Sequence, residues 1–182
     1  SSPRLREGGV AMITGGTGGL GLLFAGALFD LCRARLALTA RWVPPPEETW
    51  PERARQDDRI GRSLAGAIAR MASGAEVLIV TAGVCDRDQV ARALDATRAR
   101  YGGLNAAFNA AGIGGEVGLA TADCTMDNWH RIMAINLTGV WHCMRHQIPV
   151  MLANGGGAIV NCASTAGVDG AQFCGAYSAS KH

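Results

Sequence analysis

Short apolar runs alternate with amphipathic stretches along most of this chain. The apolar runs predict five buried strands, over residues 10–14, 36–39, 76–81, 104–109 and 158–162. Between them, apolar residues recur every three or four positions, as they do on the buried face of a helix. This spacing predicts helices over residues 20–31, 60–71, 86–101 and 125–153, and a further helix from about residue 175.

The alternation of strands and helices predicts an α/β fold. Strands that are joined by helices pair in parallel, and right-handed crossovers give a doubly wound, Rossmann-like sheet. The length of 182 residues favours a single domain over residues 1–182. Three prolines at 44–46 and the polar residues up to Asp58 predict a long surface connection, and Pro149 is expected to end or bend the long helix.

Composition and charge argue against several classes of function. A net charge of +2, without a basic stripe interleaved with aromatic residues, argues against nucleic-acid binding. No apolar run reaches the roughly 18 residues that span a bilayer, and residues 1–9 lack the apolar segment of a signal peptide, so we expect a cytoplasmic location. The six cysteines form no Cys-x-x-Cys pair, which predicts buried, reduced thiols and no metal site.

A glycine-rich stretch follows the first predicted strand directly and opens the first predicted helix. Glycine lets the backbone turn sharply and approach a pyrophosphate, and the helix N-terminus offers free N–H groups to the anion. The stretch therefore predicts a dinucleotide phosphate loop; the alternative is a glycine-rich turn that binds nothing. Its candidate cofactor-binding residues are Thr14, Gly15, Gly16, Thr17, Gly18, Gly19, Leu20 and Gly21.

Two further segments are expected at the same edge of the sheet. The second strand is followed by Arg41 and not by an acid, which favours NADP over NAD because an arginine accommodates a 2′-phosphate. The alternative for Arg41 is a solvated surface residue. Asn109, Ala110, Ala111 and Gly112 come at the end of the fourth strand, where ligands of such sheets bind, and are also candidate cofactor contacts.

Four polar residues of the second half form a candidate catalytic set. Asn136 lies on a mostly apolar face of the long helix, where its amide must find hydrogen bonds, as a structural asparagine also would. Ser164 follows the fifth strand directly. Tyr177 and Lys181 are four residues apart on a predicted helix and share a face, where a lysine ammonium favours a tyrosine phenolate. Packing or capping is the alternative for any one of them alone.

These motifs resemble the short-chain dehydrogenase/reductase family, and the resemblance covers nearly the whole chain. It implies that Tyr177 is the general acid/base, and that Lys181 favours its ionisation and holds the nicotinamide ribose. It also implies that Ser164 positions the substrate oxygen and that Asn136 supports a proton relay through water. The implied reaction transfers a hydride between a nicotinamide cofactor and a small-molecule alcohol or ketone.

The two halves resemble different branches of that family. Up to about residue 103 the chain is similar to the ketoreductase domain of a polyketide synthase, and from Leu104 onward to a stand-alone dehydrogenase. Gly83 stands where the family typically has an aspartate near the adenine, so weaker cofactor binding is expected. Because family members are longer, we expect the sheet to be incomplete at its C-terminal end.

Two functions follow from this resemblance. The first is an NADP-dependent oxidoreductase that acts on a hydroxyl or carbonyl group. The alternative is a truncated, non-catalytic nucleotide-binding or interaction fragment of the same family. A homo-oligomer is compatible with both, since helix pairs of this family often mediate dimers.

Overall fold

The computed structural model describes residues 5–116 and 118–182, and a parallel sheet lies at its centre. The strands of the described part are β1 (Val10–Thr14), β2 (Arg35–Ala40), β3 (Val77–Thr81), β4 (Ala106–Asn109) and β5 (Ala158–Asn161). Their order is β3-β2-β1-β4-β5, and every neighbouring pair is parallel. The predicted α/β, Rossmann-like sheet is therefore confirmed.

Strand β1 shows why the strands could be recognised as continuous apolar runs. Successive side chains of a strand point to opposite faces of the sheet. Val10 and Met12 pack on one face, and Ala11 and Ile13 on the other, with all four almost completely buried. Helices cover both faces around this strand, so neither face favours polar side chains.

Helices cover both faces of the sheet. The helices of the described residues are α1 (Gly19–Cys32), α2 (Trp50–Arg53), α3 (Arg59–Ala72), α4 (Arg87–Tyr101), α5 (Met126–Met133), α6 (Gly139–Ala153) and α7 (Gly175–Lys181). Helices α1 and α3 pack together on one face, and α4 and α6 pack together on the other. In the part of the chain that is described, no helix is long and apolar enough to cross a membrane.

The predicted long helix is present, but it contains an irregular segment. Helix α5 continues into a π-helical segment, Ala134–Thr138, which leads directly into α6. The Gly139 N–H donates to the Ala134 carbonyl, so one extra residue is inserted into the helical turn. Pro149 does not end the helix, which continues to Ala153. It lies on the exposed side, where the carbonyl that loses its partner can face water.

The predicted surface connection between β2 and α3 is partly buried, which corrects that expectation. Trp50 begins the short helix α2 and is only 5% exposed. It packs against Leu64 and Ala67 of α3, and its indole N–H donates to the Pro45 carbonyl at 2.9 Å. Burial of this large apolar ring fixes the connection against the domain.

The cysteines also differ from the expectation. All six are free thiols, but only Cys32 and Cys143 are buried, while Cys85 is exposed in the loop after β3. Burial raises the pKa of the Cys143 thiol to about 12. Among the residues that the structure describes, no three His, Cys, Asp or Glu side chains come together as a metal site would require.

Candidate active site

The glycine-rich loop joins β1 to α1 and leaves the start of that helix uncapped by side chains. Gly18 is the N-cap residue, and it offers no side-chain hydrogen bond to the first turn. Its N–H donates to the Gly15 carbonyl at 2.9 Å, which closes a tight turn. The first N–H groups of α1 are therefore left for an external acceptor, and the helix dipole favours an anion there.

Close backbone packing makes glycine necessary at two positions of the loop. A Cβ atom on Gly21 would lie 2.6 Å from the carbonyl oxygen of Gly15 and 2.6 Å from Gly16 Cα. A Cβ atom on Gly16 would lie 2.6 Å from the carbonyl oxygen of Ile13. These distances are too short for any side chain, and such close packing of helix against loop is what a dinucleotide-binding turn requires. The loop therefore fits the pyrophosphate of a nicotinamide cofactor.

A cleft of about 260 Å³ lies beside this loop, at the carboxyl ends of β1 to β4. Most of the loop lines it, together with residues 39–41, 82–85 and 110–113, and with Arg59 and Ile135. Thr14, Gly16 and Asn109, which were also predicted as cofactor contacts, do not line the cleft and are buried behind it. Over the described residues, 5–116 and 118–182, no acidic side chain lines this cleft.

Two threonines brace the walls of the cleft. The Thr14 Oγ1 accepts a hydrogen bond from the Ala111 N–H at 3.3 Å, which ties β1 to the loop after β4. The Thr39 Oγ1 accepts one from the Gly15 N–H at 3.2 Å, which ties β2 to the glycine-rich loop. Thr14 therefore supports the wall of the cleft through its hydrogen bond with the backbone of Ala111.

Two arginines supply positive charge to the cleft. Arg41 follows β2, and Arg59 is the first residue of α3. The nearby carboxylate of Asp58 is already engaged, since it accepts hydrogen bonds from Arg53 at 2.7 and 3.0 Å and from the Gly61 N–H at 2.8 Å. These bonds lower the pKa of Asp58 to about 2. Within the described residues, neither Arg41 nor Arg59 forms an ion pair.

The loop after β3 also reaches the cleft. Gly83 lines it without a side chain, and its N–H donates to Gln89 Oε1 at 2.9 Å. Partial desolvation of its sulfur raises the pKa of the Cys85 thiol, although the residue is exposed, and the positive charge of Arg41 partly opposes this. None of the loop residues that line the cleft, 82–85, is acidic.

Asn109 belongs to a buried amide network. Its Nδ2 donates to Gln147 Oε1 at 3.1 Å and to Asn161 Oδ1 at 2.9 Å. The Gln147 Nε2 donates back to Asn109 Oδ1 at 2.9 Å, and both Asn109 and Gln147 are at most 1% exposed. The network joins β4, β5 and α6 directly below the loop that carries Ala110 to Gly112.

Tyr177 and Lys181, both predicted as cofactor contacts, lie on α7, and neither lines the cleft. Tyr177 lines a separate small pocket together with Phe173, while Lys181 approaches the cleft wall at Gly112. The Lys181 ammonium lies 6.0 Å from the centre of the Tyr177 ring and donates to the Cys162 carbonyl at 2.8 Å. A Cβ atom on Gly112 would lie 3.8 Å from Lys181 Nζ and 3.4 Å from Asn136 Oδ1. The structure therefore brings Lys181, Asn136 and the cleft wall at Gly112 together.

Asn136 lies in the π-helical segment and is 3% exposed. Its Oδ1 accepts a hydrogen bond from the Ile113 N–H at 2.9 Å, and its Nδ2 donates to the Ile113 carbonyl at 2.9 Å. The second Nδ2 hydrogen is donated to Ser180 Oγ at 3.0 Å. Both donors of the amide are therefore used within the protein.

Ser164 is placed in the loop between β5 and α7. It caps a short 3₁₀ turn, Thr165–Gly167, and its Oγ accepts a hydrogen bond from the Ala166 N–H at 3.3 Å. The residue is half-buried. Among the contacts described, none joins Ser164 to Tyr177, so its orientation is set by this local turn.

Three residues that shape the site do not belong to the sequence-based set. Arg59 could have been found as the first residue after Asp58, which carries a helix N-cap side chain. Gln147 carries the same signal as Asn136, a polar residue at helical spacing on an apolar face. Ser180 lies between Tyr177 and Lys181, and no spacing rule indicates that it faces Asn136.

The parallel sheet and its uncapped glycine-rich loop define a doubly wound α/β protein of the dinucleotide-binding type. The family model for short chain dehydrogenase matches residues 54–182. Secoisolariciresinol dehydrogenase of Forsythia intermedia is 32% identical over 179 residues, which cover 98% of this chain and 57% of that protein. The chain belongs to the short-chain dehydrogenase/reductase family.

Further similarities agree with this assignment. Cyclohexanol dehydrogenase of Acinetobacter sp. (strain SE19) is 38% identical over 112 residues, which cover 62% of this chain and 44% of that enzyme. The crystal structure of levodione reductase superposes with a TM-score of 0.81 at 31% identity and covers 98% of this chain and 62% of its own. The crystal structure of NAD⁺-bound xylitol dehydrogenase superposes with a TM-score of 0.78 at 26% identity, and the match covers 98% of this chain and 61% of that one. The chain thus spans about half the length of the curated relatives that it matches.

Proposed function

We propose that this protein is a nicotinamide-dependent oxidoreductase that acts on a carbon bearing a hydroxyl or carbonyl group. The observation that carries the proposal is the position of Lys181, which shares a helix with Tyr177 and lies beside Gly112 on the wall of the cleft. The glycine-rich loop, which fits a pyrophosphate, lines the same cleft. A dinucleotide between them would extend from the phosphate loop to Tyr177.

In this proposal, hydride transfer and proton transfer involve different groups. A bound nicotinamide supplies or accepts the hydride. The Tyr177 hydroxyl gives a proton to the substrate oxygen during reduction and takes it back during oxidation. The Lys181 ammonium lies 6.0 Å from the centre of the Tyr177 ring, and Ser164 positions the substrate oxygen. Asn136 has no free N–H, so a water in a proton relay would bind its remaining Oδ1 lone pair or the backbone nearby.

The cofactor in this proposal is NADP. Arg41 and Arg59 line one cleft, and none of its described lining residues is acidic. Asp58 lines an adjoining pocket with both arginines, but its carboxylate is already engaged by Arg53. An acid that would bond the ribose 2′-hydroxyl of NAD is absent after β2, where the chain reads Arg41-Trp42. Two uncompensated guanidinium groups instead favour a 2′-phosphate, which accepts charge-assisted hydrogen bonds.

The substrate in this proposal is a cyclic secondary alcohol or the matching ketone. Cyclohexanol dehydrogenase and levodione reductase are both similar to this chain by sequence or by structure. Val168 and Phe173 are exposed apolar side chains in the loop between β5 and α7, and Phe173 lines a small pocket together with Tyr177. An apolar ring would be held by such side chains while its oxygen faces the phenol.

Self-association is also proposed, through an exposed apolar stripe on the helix of residues 126–153. Leu137 lies at its middle, and Met126 and Ile148 lie equally far from Leu137 on either side. Trp129 and Arg145 are likewise equidistant from Leu137, so a two-fold pairing would bring Trp129 of one copy towards Arg145 of the other. Within one chain, the Arg145 guanidinium lies 5.3 Å from the centre of the Trp141 ring. This symmetry favours a second copy of the chain as the partner.

Turnover in wild type and in Tyr177→Phe tests the enzymatic proposal. We expect wild type to reduce NADP⁺ in the presence of cyclic secondary alcohols, and Tyr177→Phe to bind NADPH as wild type does but to lose turnover. Retained turnover in Tyr177→Phe would show that another group is the acid. Cofactor binding without turnover in wild type would support the alternative, a non-catalytic nucleotide-binding protein.

A further inference from the structure

Helix α7 is held on two sides by consecutive residues, Ser180 and Lys181. Lys181 donates to the Cys162 carbonyl at the end of β5, at 2.8 Å. Ser180, which is 5% exposed, accepts from Asn136 Nδ2 at 3.0 Å and donates to the Tyr177 carbonyl at 2.8 Å. The hydroxyl of Ser180 therefore has a fixed orientation, with its proton on the helix and a lone pair on Asn136.

Asn136 also contacts the loop of residues 110–113, which lines the cleft and is called the cofactor-facing loop below. Its amide forms a pair of hydrogen bonds with the N–H and carbonyl of Ile113, both at 2.9 Å. Ile113 and the three residues before it line the cleft. An unbroken series of hydrogen bonds thus runs from Ile113 through Asn136 and Ser180 to the backbone of Tyr177.

We infer that Ser180 is a positioning residue that couples the Tyr177 helix to the cofactor-facing loop through Asn136. The inference rests on the proposed function for its consequence in catalysis, whereas the coupling itself can be measured without turnover. Both side chains are almost fully buried, so bulk water cannot readily replace a lost hydrogen bond. The role is distinct from that of Lys181, which anchors the same helix to β5.

Removal of the hydroxyl in Ser180→Ala has a defined consequence. One Nδ2 hydrogen of Asn136 loses its acceptor inside the protein, and the amide becomes free to tilt on its remaining contacts with Ile113. The helix then loses the side-chain hydrogen bond that joins it to Asn136, and the Tyr177 side chain is held less firmly. Displacements of about 1 Å are enough to slow a positioned reaction by on the order of a hundredfold.

Amide hydrogen exchange at Ile113 measures the coupling directly. We expect Ser180→Ala to speed exchange of the Ile113 N–H about fivefold, the factor for one hydrogen bond of ordinary net strength. Ser178→Ala is the matched control, because Ser178 is a buried serine of the same helix whose Oγ accepts from Ala171 N–H and not from Asn136. Unchanged exchange at Ile113 in Ser180→Ala would overturn the inference, as would equal acceleration in Ser178→Ala or at the remote amides of α4.

Kinetics of the same variants then separate positioning from binding. We expect kcat of Ser180→Ala to fall about tenfold while the KM values for cofactor and substrate stay within about twofold. In an Asn136→Ala background, Ser180→Ala should cause no further loss, since it acts through that amide. Additive losses would contradict the inference. A wild-type protein that shows no turnover would overturn the proposed function, while the Ile113 exchange rates would still decide the coupling.

Discussion

Two single arginines decide the charge of the candidate cofactor site. Arg41 and Arg59 come from segments that are separate in sequence, yet both line the cleft next to an Asp58 carboxylate that Arg53 and the backbone of Gly61 already engage. The cleft therefore offers a positive field without a competing acid. This charge is the physical basis for the preference for NADP in our account.

We predict that Arg41→Ala and Arg59→Ala each weaken NADPH binding about tenfold, because each removes one charge-assisted contact to the 2′-phosphate. NADH binding should change by less than about twofold, since NADH lacks that phosphate. Fluorescence titration with both cofactors measures the two affinities. Arg98→Ala on α4 is the control for net charge, and equal losses for NADPH and NADH would contradict the assignment.

Buried Gln147 stabilises the sheet edge that carries the cofactor-facing loop. In Gln147→Leu, the Asn109 Oδ1 loses its donor in a site with no access to solvent, and we expect a loss of about 2 kcal/mol in the free energy of unfolding. Chemical denaturation measures this change. Gln172→Leu, at an exposed position, should stay within about 0.5 kcal/mol. If Gln147→Leu lowers the free energy of unfolding by less than about 0.5 kcal/mol, the amide network adds no stability.

Residues can be predicted where the chemistry depends on spacing along the chain. Tyr177 and Lys181 can be recognised in the sequence as a pair because one helical turn separates them. The glycine-rich loop can be recognised because its backbone geometry restricts its composition. Arg59, Gln147 and Ser180 depend on which elements meet in space. Each would require the packing of α3, α6 or α7 to be known first.

Among the elements, α1 illustrates how a loop fixes the start of a helix. Helix α1 begins so close to the loop that Gly21 has no room for a Cβ atom, whereas a Cβ atom on Gly19 would have no atom within 4 Å. Two glycines of one motif therefore have opposite requirements. The first keeps the helix against the loop, and the second leaves space at the helix N-terminus for a ligand.

We predict that Gly21→Ala lowers the free energy of unfolding by about 2 kcal/mol, because backbone atoms must move apart to admit the methyl group. Gly19→Ala should instead stabilise the fold by about 0.5 kcal/mol, since it lowers the chain entropy of the unfolded state at a helical position. Thermal and chemical unfolding followed by circular dichroism measure both. Similar effects of the two substitutions would contradict the packing described for the loop.

Element boundaries were largely predictable, whereas the irregular segment was not. The predicted strands and helices lie within two residues of their bounds in the structure. In α1, however, the apolar spacing does not mark the buried face: Leu20, Leu23 and Leu31 are exposed. The helix instead packs through mostly small residues, among them Gly21 and Ala25. The π-helical turn at Ala134–Thr138 has no signature in the apolar pattern, since one inserted residue changes the helix face only locally. Trp50 escaped prediction because the prolines before it indicate only a turn-rich connection.

The surface of the molecule carries an apolar stripe on the helix of residues 126–153. Leu137 and Trp141 are both about half exposed near its centre. We predict concentration-dependent dimerisation in sedimentation velocity, and dissociation on Leu137→Glu, since a charge at the two-fold axis would face its own copy. Leu31→Glu, on exposed α1, is the control. A monomer at all concentrations, or equal dissociation by Leu31→Glu, would contradict the symmetric pairing.

In the proposed reaction, the protein moves a hydride between a bound nicotinamide and an alcohol carbon, with Tyr177 as the acid/base. Cyclic secondary alcohols deuterated at the carbinol carbon, incubated with NADP⁺ and the protein, test it most directly. Mass spectrometry of the cofactor should show deuterium in NADPH with wild type, and none with Tyr177→Phe. A wild-type protein that binds NADP⁺ but transfers no deuterium from any of these alcohols would contradict the account.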